Sequence, residues 1–66
     1  MNKDEATIAA KQMIDANYGS FAQTLSTAYL LADEENKRKI LSVFDELFSR
    51  AYSDKVAYAA FLAKKN

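Results

Sequence analysis

Residues 21–44 read FAQTLSTAYLLADEENKRKILSVF, and this stretch decides the fold class. On both sides of the polar segment 33–36, apolar residues return every three or four positions, which is the spacing of one face of an α-helix. Aspartate directly before a helix caps its first turn, so Asp33 predicts a helix that begins at Glu34. The stretch contains no glycine or proline. It therefore predicts two consecutive helices.

The same pattern extends along the chain and predicts an all-α protein that forms one domain, residues 1–66. We expect a compact bundle of three or four short helices at about 3–17, 21–32, 34–50 and 54–64. Gly19 suits the left-handed position that ends the first helix. Ser20 and Gln23 fit a capping box for the second. Ser53 and Asp54 can cap a fourth helix, which we favour, although neither residue forbids a helix that continues through them.

Each predicted helix has a core face, made of the apolar residues that recur at helical spacing. The face of the first helix consists mostly of alanine, whereas the second and third helices offer larger side chains. The faces are Ala6, Ala9, Ala10, Met13, Ala16 and Asn17; Phe21, Leu25, Ala28, Tyr29 and Ala32; and Ile40, Val43, Phe44, Leu47 and Ala51.

The composition excludes several classes of function. The 66 residues include nine basic and nine acidic side chains but no histidine or cysteine. Disulfides, imidazole or thiolate metal sites, and nucleophiles activated by histidine are therefore excluded. We expect no catalytic residue, no metal and no cofactor, and hence no enzyme. A chain of this size buries a limited core, so association with a second copy of the chain is expected to stabilise it.

The candidate interface residues are apolar and lie near the C-terminus. Tyr58, Phe61 and Leu62 fall in the expected fourth helix, beside Val56. Tyrosine is enriched at protein interfaces because it combines apolar area with a hydroxyl group. We expect these residues to anchor a protein partner or a second copy.

The run Lys37, Arg38 and Lys39 is the densest positive cluster. Glu34 precedes Arg38 by four residues and Glu35 precedes Lys39 by four, so intrahelical ion pairs are expected. In the favoured interpretation the run also steers an acidic protein partner. In one alternative, a nucleic-acid-associated regulator, the run contacts phosphates from a dimer. In another, amides at the second helix's N-terminus bind a small anion.

Residues 1–5 are polar and mixed in charge, and no apolar run approaches the length of a membrane helix. These features predict a protein without an export signal or a membrane span. The expected location is the cytoplasm.

One further pattern covers residues 17–48, about half the chain. An aromatic-rich helix leads into Ala28-Tyr29-x-x-Ala32-Asp33-x-x-Asn36-Lys37, and Phe44-x-x-Leu47-Phe48 follows. In these features the chain resembles small uncharacterised helical proteins of bacteriophages and prophages. The resemblance implies a bacterial cytoplasm and an accessory role, and it supplies no catalytic residues. The expected function is a non-catalytic accessory protein that binds or inhibits a host or phage protein.

Overall fold

The computed structural model describes residues 1–64, most of which lie in three helices. Helix α1 spans Lys3–Asp15, helix α2 spans Ser20–Leu31 and helix α3 spans Glu34–Lys64. No strand occurs among these described residues. The prediction of a small all-α bundle is confirmed. None of the three helices combines the length and the apolar character that a bilayer span requires.

Local hydrogen bonds set both ends of α1. The Asn2 side chain accepts from the amide of Glu5 at 2.8 Å, and the Glu5 carboxylate accepts from the amide of Asn2 at 3.0 Å, which completes a capping box. At the other end the amide of Tyr18 donates to the carbonyl of Met13 at 3.1 Å. Asn17 takes the left-handed position, with φ of 54°. Because Asn17 rather than Gly19 holds this position, α1 ends at Asp15, earlier than expected.

Helix α2 begins without the predicted capping box. Gly19 is the N-cap residue, with φ of 99°, and no side chain caps the helix. Ser20 lies inside the first turn, and the side-chain amide of Gln23 donates to the side-chain oxygen of Asn17 instead. The predicted Ser20–Gln23 box is therefore wrong. At α3 the predicted cap is confirmed, since the Asp33 carboxylate accepts from the amide of Asn36 at 2.8 Å.

The core is built mainly from small side chains. Ala6, Ala9, Ala10 and Met13 are buried as expected, and Phe48 and Ala51 of α3 are buried too. Ala16 and Asn17, which were also expected on the face of α1, lie beyond its last residue and are exposed. In α2, however, the buried residues are Ala22, Ser26 and Tyr29, whereas Phe21 is 63% exposed. Small residues at a contact allow two helix axes to approach closely, and α2 packs more extensively on α1 than on α3. The buried face of α2 is therefore rotated, relative to the predicted face, toward the smaller residues of the helix.

Helix α3 continues through Ser53 and Asp54, so the break predicted there is wrong and the third and fourth helices are one. The Asp54 carboxylate accepts from the hydroxyl of Tyr18 rather than capping a new helix. The irregular residue of α3 is Phe44, with φ of −112° and ψ of 26°. Two residues earlier, the hydroxyl of Ser42 donates to the carbonyl of Lys39 at 2.7 Å. Back-bonding of this kind bends helices.

Two contacts define the direction of α1 relative to α3. Lys3, at the start of α1, pairs with Glu34, at the start of α3, at 2.9 Å. Tyr18, just after α1, reaches Asp54, far along α3. The two helices therefore run in the same direction, and α2 is the connection that returns the chain. Beyond Asp54 the last turns of α3 extend past the bundle, and the molecule measures 42 × 24 × 18 Å.

Candidate functional site

The last turns of α3 pack on neither α1 nor α2. Ala51 is the last buried residue of α3, and every residue from 53 to 64 is exposed. We call residues 53–64 the projecting segment; at 1.5 Å per residue it is about 18 Å long. Its sequence from Val56 to Ala63 is entirely apolar. A helix that is apolar on all sides is normally buried, so its exposure is the most unusual feature of the surface.

All three of the apolar residues predicted at the interface lie in the projecting segment. Tyr58, Phe61 and Leu62 are 56%, 58% and 45% exposed, and Val56 is 49% exposed. They do not share one face. Tyr58 and Leu62 are four residues apart and point the same way, whereas Val56 lies roughly 160° around the helix from Tyr58. The structure therefore places Val56 on the side of the helix away from the Tyr58/Leu62 face, whereas Phe61 borders that face at roughly 60° from Tyr58.

The Tyr58/Leu62 face continues the face of α3 that forms the core. Phe48, Ala51, Lys55, Tyr58 and Leu62 are spaced three and four residues apart in alternation, which is the a/d spacing of packed helices. Phe48 and Ala51 are fully buried against the bundle. Tyr58 and Leu62 lie two to three turns later, past its end. One continuous stripe is thus buried in its first part and exposed in its last.

The basic run lies far from this face. Lys37 and Tyr58 are separated by roughly 30 Å of helix. The ammonium of Lys37 lies 5.5 Å from the centre of the Tyr29 ring, within the range of a cation–π contact. Neither of the expected ion pairs, from Glu34 to Arg38 and from Glu35 to Lys39, is formed within this described stretch of α3. Glu34 instead pairs with Lys3 across the α1–α3 contact.

A cleft of about 430 Å³ lies where the first turns of α3 meet the start of α1 and the end of α2. Its charged lining residues are Lys3, Lys37, Arg38, Glu34 and Asp45. Three positive and two negative side chains line it, so it does not present the uniformly positive surface that phosphate groups favour. Sequence reasoning missed this cleft because Lys3 and Glu34 meet only when α1 packs beside α3.

The ion pair and burial shift three pKa values at this cleft. The hydrogen bond to Glu34 raises the pKa of Lys3, and the same bond lowers the pKa of Glu34. Both side chains are largely exposed, so water screens the pair. Burial raises the pKa of Tyr29, and the nearby charge of Glu34 adds to the effect. Each shift moves the pKa away from neutral pH, so all three groups keep their ordinary charge there.

Within residues 1–64, no three side chains of the metal-binding types converge on one point. The neighbouring acids Asp45 and Glu46 lie on different sides of α3. Asp45 lines the cleft beside Arg38, whereas Glu46 lines a separate hollow with Leu47 and Arg50.

Comparisons of the chain with family models, with curated proteins and with solved structures gave no match. The resemblance to phage proteins therefore stays a prediction.

Proposed function

We propose that this protein is a non-catalytic interaction module that binds another protein molecule through the projecting segment of α3. One observation carries the proposal: the stripe that is buried at Phe48 and Ala51 is exposed at Tyr58 and Leu62. Contiguous apolar surface on a small protein marks interaction sites. Side chains four residues apart on a helix are also the usual anchors when a helix docks on a protein.

The basic run supplies the electrostatic part of the proposal. Arg38 and Lys39 are exposed and have no ion-pair partner within the described residues. Exposed charges act mainly on the rate of association, so these two steer an acidic partner rather than hold it. Lys37 lies over the ring of Tyr29, so its role in this proposal is to stabilise the fold rather than to steer the partner.

The proposal keeps a phage-type accessory role and the bacterial cytoplasm as its setting. The sequence resemblance over residues 17–48 supports both.

Site-specific photocrosslinking in bacteria tests the proposal. A photoreactive phenylalanine analogue replaces Tyr58 in one variant and Ala57 in the other. Both positions are exposed, but they lie about 100° apart around the helix. We expect position 58 to give a covalent adduct of defined mass, with a partner that mass spectrometry identifies. We expect at least about tenfold less of that adduct from position 57, because hot spots are local.

An adduct with another protein or with a second copy of the chain supports the proposal. Equal yields from both positions, or no adduct from position 58, would refute it. The chain keeps its bundle in both variants because neither residue touches the core.

A further inference from the structure

We propose that the cleft at the start of α3 binds a dipeptide, with the carboxylate of the ligand at Arg38 and its ammonium at Asp45. The cleft lies apart from the projecting segment, so this inference does not depend on the proposed function. Three observations carry it: a buried hydroxyl without a partner, two unpaired charges of opposite sign, and the distance between those charges.

The hydroxyl of Tyr29 opens into the cleft. Tyr29 is 1% exposed, and within the described structure its hydroxyl makes no hydrogen bond. It is not sealed from solvent, because the sealed side-chain oxygen without a partner is that of Ser26. Tyr29 lines the cleft, and the charges of Lys3 and Glu34 both act on its pKa. The hydroxyl therefore lies near this ion pair, where a ligand oxygen can accept its proton.

Arg38 and Asp45 supply the two charges. Both are exposed side chains that line the cleft, and neither forms an ion pair within the described part of the chain. The other charged groups of the lining are already engaged. Lys3 and Glu34 pair with each other at 2.9 Å, and Lys37 lies over an aromatic ring. One positive and one negative group thus remain for a ligand.

These two groups lie at different ends of the cleft. Arg38 follows Glu34 by one turn of α3, at the end that the Tyr29 hydroxyl reaches. Guanidinium and hydroxyl groups donate hydrogen bonds, so this end fits a carboxylate. Asp45 lies two turns further along α3, and an ionised carboxylate only accepts hydrogen bonds. That end therefore fits an ammonium group.

The distance between the two ends selects the size of the ligand. Arg38 and Asp45 are seven residues apart, so they share one face of α3 and are separated by about 10 Å along its axis. In an extended dipeptide the terminal nitrogen and the carboxylate carbon are roughly 6 Å apart. A charge-assisted hydrogen bond of about 2.8 Å at each end extends this reach to roughly 12 Å. The charged groups of a free amino acid are only roughly 3 Å apart, which is too short.

The wall between the two ends suits the middle of a dipeptide. Leu41 is half-buried there and offers apolar surface to a side chain of the ligand. The hydroxyl of Ser42 donates to the carbonyl of Lys39, which leaves its oxygen free to accept from a peptide N–H. The cleft volume of about 430 Å³ is sufficient for a molecule of this size.

Titration of the full chain with alanyl-leucine, followed by NMR, tests the inference. We expect saturable changes in the amide resonances of Leu41 and Ser42 and in the ring resonances of Tyr29. The dissociation constant should be on the order of 1 mM, as is usual for ligands of this size. The N-acetylated dipeptide lacks the ammonium, and the C-terminal amide lacks the carboxylate. Each should bind at least about tenfold more weakly, because it loses a charged contact.

Three variants assign the charges to their residues. Arg38→Gln should bind alanyl-leucine at least about tenfold more weakly and should no longer prefer it to the C-terminal amide. Asp45→Asn should no longer prefer it to the N-acetylated form. The matched control, Lys39→Gln, removes an exposed positive charge next to Arg38 but outside the cleft lining, and should bind like the wild type. All three side chains are exposed, so the bundle should persist, which circular dichroism checks.

The absence of a saturable change up to the solubility limit of alanyl-leucine would overturn the inference. Equal affinity for the three peptides would do the same, since binding would then not depend on the two charges of the ligand. An equal loss of affinity in Lys39→Gln and Arg38→Gln would overturn the assigned position. Photocrosslinking at position 58 does not depend on the cleft, so either proposal can fail while the other stands.

Discussion

Ser26 is the buried polar residue whose hydroxyl has no hydrogen-bond partner in the described structure. It is fully buried in α2, in line with Ala22 and Tyr29. A buried hydroxyl without a partner loses its bonds to water and gains nothing in return. We expect Ser26→Ala to raise the free energy of unfolding by about 1 kcal/mol, measured by urea denaturation.

The size of the Ser26 site provides the control for that prediction. Because Ser26 is fully buried, Ser26→Leu should overpack the site and lower the free energy of unfolding by about 1–3 kcal/mol. If alanine destabilised the protein as leucine should, the hydroxyl would have a partner in solution.

Two tyrosines make the free energy of unfolding depend on pH in the alkaline range. Burial raises the pKa of both Tyr18 and Tyr29 above the ordinary value of 10.0, and for Tyr18 the hydrogen bond to Asp54 adds to the effect. The unfolded chain therefore loses these protons at lower pH than the folded chain. The contribution of these two tyrosines to the free energy of unfolding is complete below about pH 10. It is lost as the pH rises through their pKa values in the folded state.

The expected measurement is a set of denaturation curves between pH 8 and 12. The free energy of unfolding should fall above about pH 10. Tyr18→Phe and Tyr29→Phe should each make that fall shallower. An equal slope in the wild type and in both variants would contradict the role of these two groups.

Helix α3 is one element with two environments. Up to Tyr52 its residues pack on α1 and α2, whereas the projecting segment contributes nothing to the core. Short helices without tertiary contacts are marginal in water, so the projecting segment should be the least stable part of α3.

Removal of the part of the projecting segment that follows Asp54 tests this division. A chain that ends after Asp54 keeps the Tyr18 contact and all of the core. At low micromolar concentration its midpoint of urea denaturation should match that of the full chain, because none of the buried area is lost. In the full chain, amides 56–63 should exchange with deuterium much faster than amides 47–51. A large loss of stability on truncation would show that the segment packs on the bundle.

At the scale of the whole molecule, stability depends on very few large side chains. Met13, Tyr29 and Phe48 are the large residues that are fully buried, and the rest of the core is mostly alanine. Domains hold roughly 0.05–0.15 kcal/mol per residue, which gives about 3–10 kcal/mol for a chain of this length. The stability lost when one of these large side chains is removed is therefore a large fraction of the total free energy of unfolding.

Phe48→Ala should lower the free energy of unfolding by about 3–5 kcal/mol and leave much of the protein unfolded at room temperature. Circular dichroism during urea denaturation measures this directly. The matched variant is Phe21→Ala, since Phe21 is 63% exposed and contacts Phe44 at a ring separation of 5.7 Å. It should cost much less. If both variants lost the same stability, burial would not determine how much each aromatic residue contributes to the free energy of unfolding.

The sequence by itself determined the helical class, the alanine face of α1, the cap at Asp33 and the apolar residues Tyr58 and Leu62. These features depend on local hydrogen bonds and on a periodicity that any helix of this composition shows. The tertiary structure decided which face of α2 is buried and that α3 continues through Ser53. It also decided where the bundle ends. Those outcomes depend on how closely two helices approach and on contacts such as Tyr18 with Asp54, whose partners are far apart in the chain. Only this packing divides one apolar stripe into a buried part and an exposed part.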